Sequence, residues 1–212
     1  MSTETSPWED HFSGPENQSH AAQLGMWLFL GSEVLLFTNL FVGYAVYRYY
    51  YPDVFAEASK HLKTDWAMVQ TLLLVTSSLF VVLAVHFIRE GRQFLTAAVL
   101  LAAIVMGVAF LVIKGWEYYE HYKEGLLPGE FYHSEELTKQ GSNLFFTLYF
   151  LLTGLHALHM MVALGLLGWL VFGALAGKYT AGYHIPVEVC GLYWHLVDIF
   201  WLFIFPLLYL VE

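Results

Sequence analysis

The sequence predicts an all-α, polytopic membrane protein, a bundle of five transmembrane helices. Of its 212 residues, 58% are hydrophobic and only 13% charged, where soluble domains carry about 25% charged residues. A soluble chain of this length could bury a core, but its surface would need far more polar groups. The apolar residues also form continuous rather than alternating runs, too long for barrel strands. About 20 such residues in helix cross a bilayer core of about 30 Å, and a helix satisfies its own backbone groups as lipid demands.

The opening MSTETSPWEDHFSGPENQSH is polar and acidic. It lacks the basic start and apolar stretch of a secretory signal, so the first helix must direct insertion. Residues 1–22 are therefore expected to form a polar tail, and 23–212 a single transmembrane domain. The expected spans are 23–47, 66–88, 94–116, 144–176 and 185–211. A short turn around Arg89 to Arg92 joins spans two and three, and GKYTAGYH joins four and five. Short connections make antiparallel neighbours. YYPDVFAEASKHLKTD and HYKEGLLPGEFYHSEELTKQGS read as longer loops. Tyr44, Tyr47, Tyr49, Tyr50 and Tyr51 end the first span, and Trp116, Tyr118, Tyr119 and Tyr122 the third. Such residues favour headgroup depth, and alternating topology puts both clusters on one side.

Charge narrows the partners. The net charge of −9 offers no basic patch for nucleic acid. The single cysteine, Cys190, excludes an intrachain disulfide and any multi-cysteine metal site. Arg89, Arg92 and Lys178 lie on the N-terminal side; Arg48, Lys60, Lys63, Lys123 and Lys139 lie opposite, with Lys114 near that boundary. The positive-inside count alone favours an external N-terminus.

Ionisable residues within the spans carry the functional question. Glu33 lies near the centre of the first, His156 and His159 of the fourth, His195 and Asp198 of the fifth. A central acid or base costs about 2.5–3.5 kcal/mol to insert, so such groups face the bundle interior. Positions i and i+3 share a helix face, giving one stripe for the His pair and another for His195 and Asp198. Three roles compete. Polar contacts can fix which helices meet, at about 0.6 kcal/mol each. His159 and His195 could clasp a heme from different helices. Glu33 is the natural candidate for proton handling or for a lipid headgroup. Lys114 and Glu117, in KGWEYYEHY, read as an interfacial helix end whose charges reach water, or as a contact with a neighbouring subunit. Gly154, Gly165, Gly168 and Gly173 allow close helix approach in the fourth span, and Pro206 predicts a kink in the fifth.

GMWLFLGSEVLLFTNLF, KGWEYYEH, TGLHALHMMVALG and GLYWHLVDIFWLFIFPLLYL, in that order, resemble subunit III of the heme–copper terminal oxidases, in its short five-helix bacterial form. The likeness covers residues 23–211. It implies a non-redox integral subunit, with helices in two groups around a cleft that holds phospholipid. It implies no heme, copper or catalytic residue in this chain; those cofactors belong to the partner, subunit I, which reduces oxygen to water and pumps protons. Subunit III would keep that site from inactivating and support proton uptake. Subunit II and other oxidase subunits are further expected partners. Glu33 matches the family's membrane-buried, carbodiimide-sensitive glutamate, and His159 a histidine near bound lipid. His156, His195 and Asp198 match motif positions read as structural. His195 and Asp198 are expected to form a polar seam orienting the fifth span against the fourth and its His pair. The resemblance implies a bacterial cytoplasmic membrane and a cytoplasmic N-terminus, against the charge count, and it outweighs that small bias. The electron donor, cytochrome c or quinol, stays open. So do the rivals: a nitric oxide reductase accessory subunit, a small transporter or proton channel, and a b-type membrane cytochrome.

Overall fold

A computed structural model of the protein describes residues 15–128 and 141–210. Six helices follow one another: α1 Pro15–Tyr50, α2 Pro52–Ser59, α3 Thr64–Arg89, α4 Gln93–Lys123, α5 Ser142–Leu175 and α6 Ile185–Tyr209. All but α2 are long and apolar enough to cross a membrane, and no strand occurs among the described residues. This is the five-span, all-α architecture the apolar runs predict. The helices outrun the spans, as helix ends standing in headgroup and water do. α1 begins at Pro15, inside the stretch read as tail, and α4 continues to Lys123, seven residues past the expected end. Residues 1–14, most of the tail, and 129–140, which include Lys139, lie outside the described residues.

The five spans divide four and one. Helices α3, α4, α5 and α6 pack in a ring, α3 on α4, α4 on α5, α5 on α6, and α6 back on α3. α1 lies outside this ring against α6 and, more lightly, α5. Its contact is aromatic: Phe37 stacks on Phe200 with centroids 3.9 Å apart, flanked by Phe29 on Tyr193 and Phe41 on Phe203. Wide apolar faces remain exposed on every span, as expected where the solvent is acyl chain.

Local chemistry sets the turns. α3 closes at Gly91, whose φ of 74° suits a residue without Cβ. There the Arg92 N–H bonds the Phe87 carbonyl and the Gly91 N–H bonds Ile88, a Schellman cap. α4 and α5 close in the same way before Leu126 and Lys178. α2, within a stretch read as loop, starts on Pro52, where the missing N–H is not needed. It inserts Phe55 between Tyr44 and Phe145, each ring centroid 5.3 Å away. Tyr44 is consequently buried rather than interfacial, and Tyr118 bonds Thr153 at 2.6 Å. Tyr47, Tyr49, Tyr50, Trp116, Tyr119 and Tyr122 stay exposed at their helix ends. In the ring, Gly107 leaves room for Trp194; a Cβ there would stand 2.8 Å from the indole. Pro206 lies inside α6, and the helix continues past it to Tyr209.

Candidate functional site

The polar residues gather in three places, and each joins different helices. On the flank, His159 of α5 reaches Glu33 of α1, Nε2 to Oε2 at 2.8 Å. His159 Nδ1 lies 2.8 Å from the Leu155 carbonyl. A carbonyl only accepts, so Nδ1 carries a proton. The Glu33–His159 contact must then hold one proton between carboxyl and imidazole, whichever of them carries it. Phe37 covers the imidazole edge-on at 5.3 Å. Both side chains are more than four-fifths buried, so the pair is shielded without being sealed from lipid.

The second place is the seam between α3 and α6. Ser78 donates its hydroxyl proton to Asp198 Oδ2 and lies 3.1 Å from His195 Nδ1. That proton being used, the imidazole N–H donates to Ser78. The antiparallel register continues in both directions. Trp194 Nε1 donates to Ser77, Trp201 Nε1 to Thr71, and Arg89 pairs with Glu188 at 2.6 Å. This corrects the expectation for His195 and Asp198. They orient the fifth span against the second, through Ser78, and not against the fourth. The His pair is likewise not one stripe. Three residues advance about 300° around a helix, so their side chains diverge by about 60°. His156 turns into the ring, between Phe110 and Trp201 at 5.5 and 5.2 Å, while His159 turns out to α1. His159 and His195 address different helices, α1 and α3 respectively.

The third place joins α4, α5 and α6. Lys114 Nζ donates to Glu117 Oε2 at 2.7 Å and to the Tyr209 hydroxyl at 2.8 Å. Glu117 Oε1 accepts from Tyr149 at 2.9 Å and Tyr209 at 2.5 Å. The rings of Trp201, Tyr209 and Tyr149 lie 4.7, 5.3 and 5.8 Å from the ammonium, within cation–π range. The Lys114 and Glu117 side chains are 2% and 4% exposed. The snorkelling expected of them is overturned, because α4 continues two turns beyond Lys114 and leaves it no short path to water. Solvated charge appears instead one turn on, where Lys63 donates to Glu120 at 2.6 Å; that bond raises the Lys63 pKa above its ordinary value.

Sequence reasoning missed Ser78, Tyr149 and Tyr209. A serine pair inside TLLLVTSSLFVVL was the available signal for the first; nothing local marks the tyrosines. Among the described residues, no group of three or more His, Cys, Asp or Glu could hold a metal ion.

Fold and site together define a multi-pass membrane protein whose buried charges are spent on joining its own helices. Residues 8–212 match the family model described as cytochrome c oxidase subunit III, and the chain belongs to that family. It is 30% identical over 210 residues to the cytochrome c oxidase subunit 3 of Synechocystis sp., covering 97% of this chain and 81% of that one. To the probable quinol oxidase subunit 3 of Staphylococcus haemolyticus it is 25% identical over 204 residues, covering 92% and 93%. Similarity also extends to a heme-copper oxidase subunit I+III of Aeropyrum pernix, 28% identical over 217 residues; 95% of this chain matches 24% of that longer protein.

Proposed function

We propose that this chain is the non-redox subunit III of a respiratory heme–copper oxidase. It stabilises the catalytic subunit I, holds structural phospholipid and supports proton uptake while oxygen is reduced to water. Heme and copper then belong to partner chains, subunit I and subunit II among them. The proposed location is the cytoplasmic membrane of a bacterium, with the N-terminus cytoplasmic.

The observation that carries the reading is the Glu33–His159 pair. The glutamate in GMWLFLGSEVLLF and the second histidine of TGLHALH, two parts of the resemblance distant in sequence, meet at 2.8 Å. A shared proton at that depth suits a subunit that supports proton uptake. The position of the pair between α1 and the ring suits one that binds lipid at its flank. Association with subunit I is supported by the Aeropyrum pernix relative, whose name joins subunits I and III in one chain.

Purification in mild detergent tests the assignment. The chain is expected to co-migrate with a large subunit whose spectrum carries heme and whose metal analysis gives copper. A free oligomer of this chain alone would overturn it, and a Soret band from the isolated chain would point to a cytochrome.

A further inference from the structure

From the α3–α6 seam we infer that the protein contains a blind water inlet. It opens on one membrane face between the end of α3 and the start of α6, and stops at His195. Three independent observations meet there. The first is a cavity of about 380 Å³ between the two helices, lined by Val82, Val85, His86, Arg89, Glu188 and His195, with Gly191 and Leu192 on its α6 wall. The second is the order of its polar groups. Arg89 is the last residue of α3, and Glu188 stands in the first turn of α6, where Arg89 donates to it and His184 Nε2 lies 3.0 Å away. His86 on α3 and Glu90 just past its end lie beside them. These groups form a hydrated mouth at headgroup depth. His195 lies seven residues further along α6, about 10 Å into the membrane at 1.5 Å per residue.

The third observation is an incomplete hydrogen-bond account. His195 walls the cavity with its Nδ1 already bonded to Ser78, and no hydrogen bond among the described residues takes up its Nε2. Ser78 links that ring to Asp198, which lies behind it and does not line the cavity. An imidazole nitrogen left without a partner in hydrocarbon is costly; water supplied through a polar-lined cavity removes that cost. An acyl chain in the same space would leave His195 unsolvated. The ligand class is therefore water, entering from the Arg89–Glu188 end.

The inlet lies on the opposite flank of α6 from Glu33 and does not depend on the proposed oxidase role. Hydroxyl-radical footprinting of the intact complex in lipid nanodiscs tests it, because radicals made from ordered water oxidise the side chains touching that water. After correction for intrinsic reactivity, Val82, Leu192 and His195 are expected to be oxidised at least ten times faster than Leu202 and Phe203, the exposed apolar residues further along the same helix. Val82→Phe, which fills the cavity from its exposed side, is expected to cut His195 oxidation at least fivefold while Arg89 keeps its rate. Rates at Leu192 and His195 no higher than at Leu202 in the unmodified protein overturn the inlet and leave an acyl chain as the occupant. That readout needs no variant to fold.

Discussion

Lys114 is the residue whose environment departs furthest from its ordinary one. Its ammonium has exchanged water for one carboxylate, one phenol and the faces of three rings. Such a buried pair is weak support for stability in itself, since desolvation cancels much of the attraction, but removing one partner strands the other. Lys114→Met is therefore expected to cost about 3–5 kcal/mol, because Glu117 keeps a charge that two tyrosine hydroxyls cannot neutralise. Lys114→Met with Glu117→Gln removes both charges, preserves the volume, and should recover most of the loss. Reversible unfolding of the purified protein in mixed micelles measures both; equal losses in the single and double variants would show that packing, not charge, holds the site. Lys63 and Glu120 lie only a turn away in depth, yet their side chains are 47% and 28% exposed. Water already solvates that bridge, and screened surface pairs contribute little. The contrast is set by where the α4 helix ends, not by residue type.

At the scale of the element, α6 is the helix that determines neighbours. One side meets α3 through Arg89–Glu188, Ser78–Asp198 and Thr71–Trp201; another meets α4 and α5 through Tyr209; a third carries the Phe37–Phe200 stack to α1. Lipid tails are as apolar as leucine, so burial alone does not choose among helix pairings, and polar contacts averaging about 0.6 kcal/mol can. Asp198→Ala should weaken the α3–α6 contact by about 1–2 kcal/mol, since it also leaves the Ser78 hydroxyl proton without its acceptor. The expected result is a lower yield of this chain in the assembled complex, with the turnover of the complexes that retain it little changed. Full retention with turnover abolished would contradict a joining role. Ser78→Ala combined with Asp198→Ala should lose less than the sum of the two, as residues sharing one bond do.

For the molecule as a whole, length and patterning made the five spans legible, because a run of apolar residues as long as a bilayer is thick needs no partner to identify it. Neighbours were not legible. The lipid-facing side of α5 is as apolar as its buried side, so no stripe shows that His156 turns inward and His159 toward α1. The histidine and aspartate of YWHLVDIFW were visible as a seam, but their partner Ser78 sits in an otherwise ordinary run. Lys114 looked terminal because the apolar signal fades at Trp116 while the helix does not. Orientation is the remaining whole-molecule property, and here the structure changes how the charges count. Lys114 is sealed inside and leaves the tally, and Arg89 and Lys63 are each held by a carboxylate. Without Lys114 the count is three cations on the N-terminal side against five opposite, a small lean against the orientation the family implies. An odd number of spans still puts the two chain ends on opposite sides. Reporter fusions or cysteine labels at the N-terminus and at Gly91 are thus expected to respond together as cytoplasmic, and those at Lys60 and the C-terminus as external. The reverse pattern at all four would invert the proposed orientation and leave the fold intact. Agreement between the N-terminus and the C-terminus would instead remove a span, and with it the placement of Glu33 against His159 on which the functional reading rests.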